Sequence, residues 1–150
     1  MRIIPFTKKG YEELKHKLEE TISKRPEAVK SLSKGREMGD LSENGLYKAA
    51  KQELNDIDRQ IRYLKNLVKY GKPTTPINKT IIQIGHSVVV ETQNIIKTFL
   101  IVGEYEANPS ENKISNKSPL GYNLMGKRVG DKIKVNIPSG NINYTIKSIK

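Results

Sequence analysis

Asp40 and Glu43 stand three residues apart in the stretch EMGDLSENGLYKAA, Glu37–Ala50, with Glu37 and Gly39 beside them in a chain that is otherwise strongly basic. Two carboxylates at that spacing suit a hard divalent cation such as Mg²⁺, which takes oxygen ligands. Two are too few for a self-contained site, because Mg²⁺ demands six oxygens in near-octahedral geometry. The pair makes chemical sense as half of a metal centre that another macromolecule completes. The plainer alternative is helix capping, with Asp40 or Ser42 at the cap and Glu43 in the first turn. Both readings stand at this level.

Nothing else in the chain competes as a reaction centre. Cysteine is absent, which excludes disulfides, thiolate zinc sites and cysteine nucleophiles. His16 and His86 are far apart and lack metal-ligand spacing; His16 reads as a helix-surface residue and His86 as a loop residue, neither with a special role. The segment GKRVGDK resembles a phosphate loop only superficially, since it lacks the strand–loop–helix context, and reads as a turn into DKIKVNI.

The elements that would hold the carboxylates follow from periodicity. Tyr11, Leu14, Leu18, Ile22, Val29 and Leu32 mark one helical series, and Leu46, Ala50, Leu54, Ile57, Ile61, Leu64 and Val68 a second, near-heptad one. Thr7 can cap the first helix. Pro26 should kink it or mark a local irregularity, because proline lacks the amide donor and clashes with the preceding turn. Two such helices joined by a short glycine-containing turn bury their stripes by folding back as an antiparallel hairpin. At ~1.5 Å per residue the second helix is a rod ~40 Å long, and the acidic segment falls at its tip.

After Lys69 the texture changes. YGKPTTPINK reads as a linker, followed by the strand candidates IIQIG, SVVVE, TFLIVGE, DKIKVNI and NYTIKSI, with turns at NPSEN and PSGN. A short helix is expected near Leu120–Met125. The fold class is therefore α+β: a helical hairpin over 1–75 and a small antiparallel, β-rich domain over 76–150. No apolar run approaches the ~20 residues of a membrane span, and MRIIPFTKKG is not patterned as a secretion leader, so a cytoplasmic protein away from membranes is expected.

The net charge of +11 favours an acidic partner, nucleic acid first. Divided at Thr75, the first part holds 17 Lys/Arg against 11 Asp/Glu and the remainder 10 against 5, so neither end monopolises the excess. A lysine-enriched composition, with abundant Asn and Ile, accounts for it equally well.

GDLSENGLYKAAKQEL, together with IPFTKKGYEELKHKLE, the RPE of Arg25–Glu27, IVGEYEAN and ISNKSPLGYNLMGKRVGD, resembles the bacterial Gre family of transcript-cleavage factors, its GreA branch most closely. The resemblance covers almost the whole chain with its motifs in order. It implies a coiled-coil hairpin followed by an FKBP-like docking domain, without prolyl isomerase activity. It further implies a monomer that binds RNA polymerase at the secondary channel, inserts the hairpin and helps the polymerase cut the 3′ end of backtracked nascent RNA. Such a protein is an accessory factor with no cofactor of its own. Asp40 and Glu43 would help hold a Mg²⁺ jointly with the polymerase and position the attacking water, as in two-metal hydrolysis.

By the same resemblance Arg36 and Lys51 form a basic patch against the RNA 3′ end, with Lys34 and Lys48 as neighbours. Ser118, Pro119, Leu120 and Gly121 are the candidate polymerase-docking turn. The chain departs from the family pattern at Gly45–Leu46, where a small–acidic pair is usual, and at Gly35, an alanine-like position expected to loosen the rod's end. Two other functions compete: a channel-binding regulator that does not stimulate cleavage, and a free nucleic-acid binder driven by charge.

Overall fold

The computed structural model describes residues 2–39 and 44–150; Asp40, Leu41, Ser42 and Glu43 lie outside them. Two compact units emerge, one of Glu12–Tyr70 and one of Met1–Tyr11 with Gly71–Lys150.

The first unit is the helical hairpin. Its helices are α1, Lys8–Glu37, and α2, Gly45–Tyr70. Gly35 meets Tyr47, Arg25 meets Asp58, and Ile22 lies across a shallow groove from Ile61 and Lys65, an antiparallel register throughout. On α2 the expected stripe holds in part: Ala50, Ile61 and Leu64 are buried, joined by Leu67, whereas Leu46 is 61% exposed. On α1 the seam differs from the expected apolar series. Ile22 and Val29 are exposed, and the buried positions are the small residues Thr21, Ala28 and Gly35, spaced by seven. Small side chains let two helix backbones approach closely, so the large residues flank the seam instead of filling it. The Thr21 hydroxyl is satisfied locally by donating to the Lys17 carbonyl at 2.7 Å.

α1 runs unbroken through Pro26. Proline there removes the amide that would bond the Ile22 carbonyl, but the helix continues beyond it for about three turns. Beside it Arg25 donates to Asp58 at 2.7 Å. That hydrogen bond holds the Asp58 carboxyl below its ordinary range.

The second unit contains two sheets. Strands β1 (Ile4–Thr7) and β2 (Gly71–Thr74) pair in parallel, Ile4 opposite Gly71. Part of the expected linker is thus a strand. The larger sheet has five strands in the order β5-β4-β3-β7-β6: β3 is Ser87–Thr92, β4 Ile95–Val102, β5 Lys113–Ser115, β6 Lys132–Ile137 and β7 Gly140–Ile149. All neighbours are antiparallel except β4 and β5. A short helix α3, Pro119–Leu124, packs on its core side, close to the expected position. The α+β fold class, a long helical hairpin followed by an FKBP-like β-rich domain, is the one the sequence indicated.

IIQIG is not a strand. Ile82 and Ile84 are core residues on an irregular segment whose backbone bonds go elsewhere, Ile82 N to the Lys127 carbonyl and Gly85 N to the Ile101 carbonyl. Gly85 adopts φ +100°, a left-handed conformation that ends any strand there. His86 sits in this loop but is 3% exposed. Its Nδ1 accepts the Gln83 amide at 2.9 Å, and burial pushes its pKa down, with Lys79 adding to the fall and the Asn78 backbone opposing it.

The start of α1 is fastened within this same unit. Thr7 Oγ1 accepts the Gly10 amide at 2.9 Å, the expected cap. Glu106 then accepts from the Thr7 hydroxyl at 2.5 Å, the Thr7 amide at 2.8 Å and the Gly103 amide at 3.1 Å. One carboxylate thereby ties the loop after β4 to the chain's first strand.

Candidate functional site at the hairpin tip

Asn44 does the work that the sequence reading assigned to Ser42 or Asp40. Its Oδ1 accepts the Tyr47 amide at 3.1 Å and its carbonyl accepts the Lys48 amide at 3.1 Å, the pattern of an N-cap residue before Gly45. The cap is therefore later than expected, and Glu43 precedes it instead of lying in the first turn. The same side chain reaches the other helix: Asn44 Nδ2 donates to the Gly35 carbonyl at 2.5 Å. One amide thus satisfies an orphan amide at the start of α2 and a carbonyl at the end of α1.

Gly35 has the opposite role from the one expected. A Cβ there would lie 2.9 Å from the Cα and 3.1 Å from the amide nitrogen of Tyr47. Glycine is what lets the helices close at the tip, so it tightens the rod's end. At Gly45 a Cβ would meet nothing within 4 Å.

Of the basic patch, the Arg36 guanidinium stands 6.0 Å from the Tyr47 ring centroid, at cation–π range. Lys51 lies one helical turn beyond Tyr47 and is exposed, which puts Arg36, Tyr47 and Lys51 on one flank. Lys34 and Lys48 are exposed as well, as are Met38 at 62% and Leu46 at 61%. Gly39, at φ +107°, turns the chain out of α1. Asp40 and Glu43 are not among the described residues; what is described is their frame, Gly39 on one side and Asn44 on the other. Asn44 and Tyr47 were missed from sequence although their signal was present: asparagine is among the best caps, and it immediately precedes the helix.

The candidate docking turn is far from this tip in sequence and belongs to the other unit. Ser118 caps α3 by accepting the Gly121 amide at 3.1 Å and donates to the Ser115 carbonyl at 2.7 Å. Pro119 takes the first helical position and is exposed, Leu120 is half-buried against the core, and Gly121 is buried because the Ser115 carbonyl occupies the place of a Cβ.

Comparison with known proteins settles the family. The model of "Transcription elongation factor, N-terminal" matches residues 4–71, and that of "Transcription elongation factor, GreA/GreB, C-term" matches residues 77–150. The chain belongs to the GreA/GreB family. Among GreA relatives, "Transcription elongation factor GreA" of Geobacillus kaustophilus is 38% identical over 152 residues, 97% of this chain and 96% of that one. The GreA of Thermomicrobium roseum is 35% identical over 144 residues, 93% and 92% of the two chains. GreA factor homolog 1 (Gfh1) of Thermus thermophilus, a solved structure, is 30% identical with a TM-score of 0.47 and covers 99% of each chain. As a GreA/GreB protein it is a transcription elongation factor, and none of its described helices is long and apolar enough to cross a membrane.

Proposed function

We propose that this GreA/GreB protein binds RNA polymerase through the secondary channel and stimulates the polymerase's own cleavage of the 3′ end of backtracked RNA. The observation that carries the reading is the Asn44 clasp. It joins the end of α1 to the start of α2, the two helix ends that flank Asp40 and Glu43 in the sequence. Chemical groups that act by position need such support. The donor set suits a shared Mg²⁺ only, two carboxylates against six required oxygens, with the polymerase completing the shell. When bound, that ion would lower the pKa of a coordinated water and offset charge on the scissile phosphate. Asp40 and Glu43 hold and orient. Arg36 and Lys51 attract the RNA phosphates, a salt-dependent and sequence-independent contact. Docking falls to the α3 turn around Ser118–Gly121, where Pro119 and its neighbour Tyr122, 74% exposed, offer accessible surface.

A second reading, channel occupancy without stimulation, draws on Leu46: a well-exposed apolar side chain stands next to the clasp where an acidic residue would add a ligand. A stalled, backtracked elongation complex with labelled RNA separates the two. Faster shortening with the native chain, lost with Asp40→Ala/Glu43→Ala while binding persists, supports cleavage stimulation. Binding without faster shortening leaves the occupancy reading.

A further inference from the structure

The chain holds twelve asparagines, and Asn44 alone is followed by glycine. That pairing falls on the clasp residue of the hairpin tip. Asn44 Oδ1 accepts the Tyr47 amide at 3.1 Å, and Nδ2 donates to the Gly35 carbonyl at 2.5 Å. An asparagine side chain carries its own electrophile, the amide carbon Cγ. The main-chain nitrogen of the next residue can reach that carbon, and a Cβ on that residue crowds the approach. Gly45 has none, is exposed, and has nothing within 4 Å of the place a Cβ would take.

The local structure favours attack at this position. Gly45 is the first residue of α2, so its amide has no carbonyl of that helix to bond. It also stands at the positive end of the helix dipole, which favours the deprotonated, nucleophilic form of the nitrogen. The Tyr47 amide donates to Oδ1, the oxygen that becomes negative as Cγ turns tetrahedral, and a donor fixed there stabilises that charge. The Gly35 carbonyl works in the opposite direction, because Nδ2 must leave it before a ring can close. Opening of the clasp therefore gates the reaction.

We propose that Asn44–Gly45 is a self-modifying site, at which slow deamidation releases the hairpin clasp. The Gly45 nitrogen gives its proton to hydroxide and attacks Asn44 Cγ. The N–Cγ bond forms, the Cγ–Nδ2 bond breaks, and Nδ2 takes a proton from water and leaves as ammonia, so that a succinimide remains. Water then adds to either carbonyl of the ring and opens it to aspartate or isoaspartate, with no electrons gained or lost. Aspartate has no N–H to offer the Gly35 carbonyl, and it adds a negative charge beside the Asp40–Glu43 segment in the sequence. Isoaspartate routes the main chain through Cβ and so disrupts the cap on α2 as well. The change is irreversible, so the tip of an old chain differs from that of a new one.

The test ages the full chain in warm, mildly alkaline buffer and follows every asparagine by peptide mapping with mass spectrometry. Asn44 should convert ahead of the other eleven and give both aspartate and isoaspartate. Gly45→Ala should slow the conversion about fivefold or more, by crowding the nitrogen and narrowing its backbone freedom. Gly35→Ala, which forces the helices apart at the tip, should speed it. In the converted fraction the Tyr47 and Lys48 amides should exchange about fivefold faster or more, the effect of one lost hydrogen bond. Another asparagine converting first, an equal rate in Gly45→Ala, or aspartate without isoaspartate would overturn the proposal. So would unchanged amide exchange after conversion. Every readout is made without polymerase, so the outcome is independent of RNA cleavage.

Discussion

The Cβ that Gly35 lacks would sit 2.9 Å from the Cα of Tyr47. Gly35→Ala should therefore destabilise the hairpin by ~1–3 kcal/mol through overpacking, overriding the ~1 kcal/mol that alanine gains in helix propensity. Gly45→Ala, with open space around it, should be neutral or stabilising by up to ~1 kcal/mol. Thermal melts should fall for Gly35→Ala and hold or rise for Gly45→Ala; a rise in both would mean that propensity alone governs the tip.

Asn44→Ala removes a cap and an interhelix hydrogen bond together, and should cost ~1–2 kcal/mol. The loss should be local. Hydrogen exchange at the Tyr47 and Lys48 amides should accelerate well before the amides near Ile61 respond. Asn44→Asp keeps an acceptor for Tyr47 but loses the donor to Gly35, and should fall between native and alanine.

Glu106→Ala strands the Thr7 and Gly103 amides and the Thr7 hydroxyl together. Hydrogen bonds to charged groups contribute ~1.5–3 kcal/mol each but not additively, so a loss of ~2–4 kcal/mol is expected in denaturant melts. Glu106→Gln should retain part of it. Equal losses for the two variants would mean that the charge carries the whole effect.

His86 gives the β unit a pH dependence of defined sign. Its folded-state pKa is depressed, chiefly by burial, so between that value and the unfolded ~6.5 the unfolded chain binds more protons. Stability is full above about pH 6.5 and declines as pH falls through the window below it. Protonation also converts Nδ1 from acceptor to donor and breaks the bond from the Gln83 amide. Urea melts at pH 7.5 and 5.5 should show the decline in the native chain and a smaller one in His86→Gln.

The hairpin was legible because apolar spacing and turn composition are local signals, which α2 follows in part, at Ala50, Ile61 and Leu64. What escaped the sequence depends on contacts between segments remote in the chain. Gly35 looks like a weak helix residue until Tyr47 is opposite it. The seven-residue series Thr21, Ala28, Gly35 carries too little hydrophobicity to compete with Ile22 and Val29 as a pattern. IIQIG has strand composition, yet the left-handed turn at Gly85 and bonds to Lys127 and Ile101 leave it no partner strand. β1 and β2 were invisible because each is four residues long and its partner lies 67 positions away. At the tip, residue types pointed to Asp40 and Glu43, but the clasp that frames them rests on one asparagine whose second hydrogen bond no spacing rule anticipates.

The parallel pairing of β1 with β2, and the Thr7–Glu106 bond across 99 residues, has a consequence for how the protein is made. At ~5–20 residues per second, β1 leaves the ribosome ~3–13 s before its partner strand, and Thr7 waits longer still for Glu106. During that interval the hairpin can zip while the segment that precedes it in the chain, including the apolar Ile3, Ile4 and Phe6, has nothing to pair with. The β unit is completed only when the last part of the chain arrives, so its nascent form offers an apolar N-terminal strand to whatever binds emerging polypeptides.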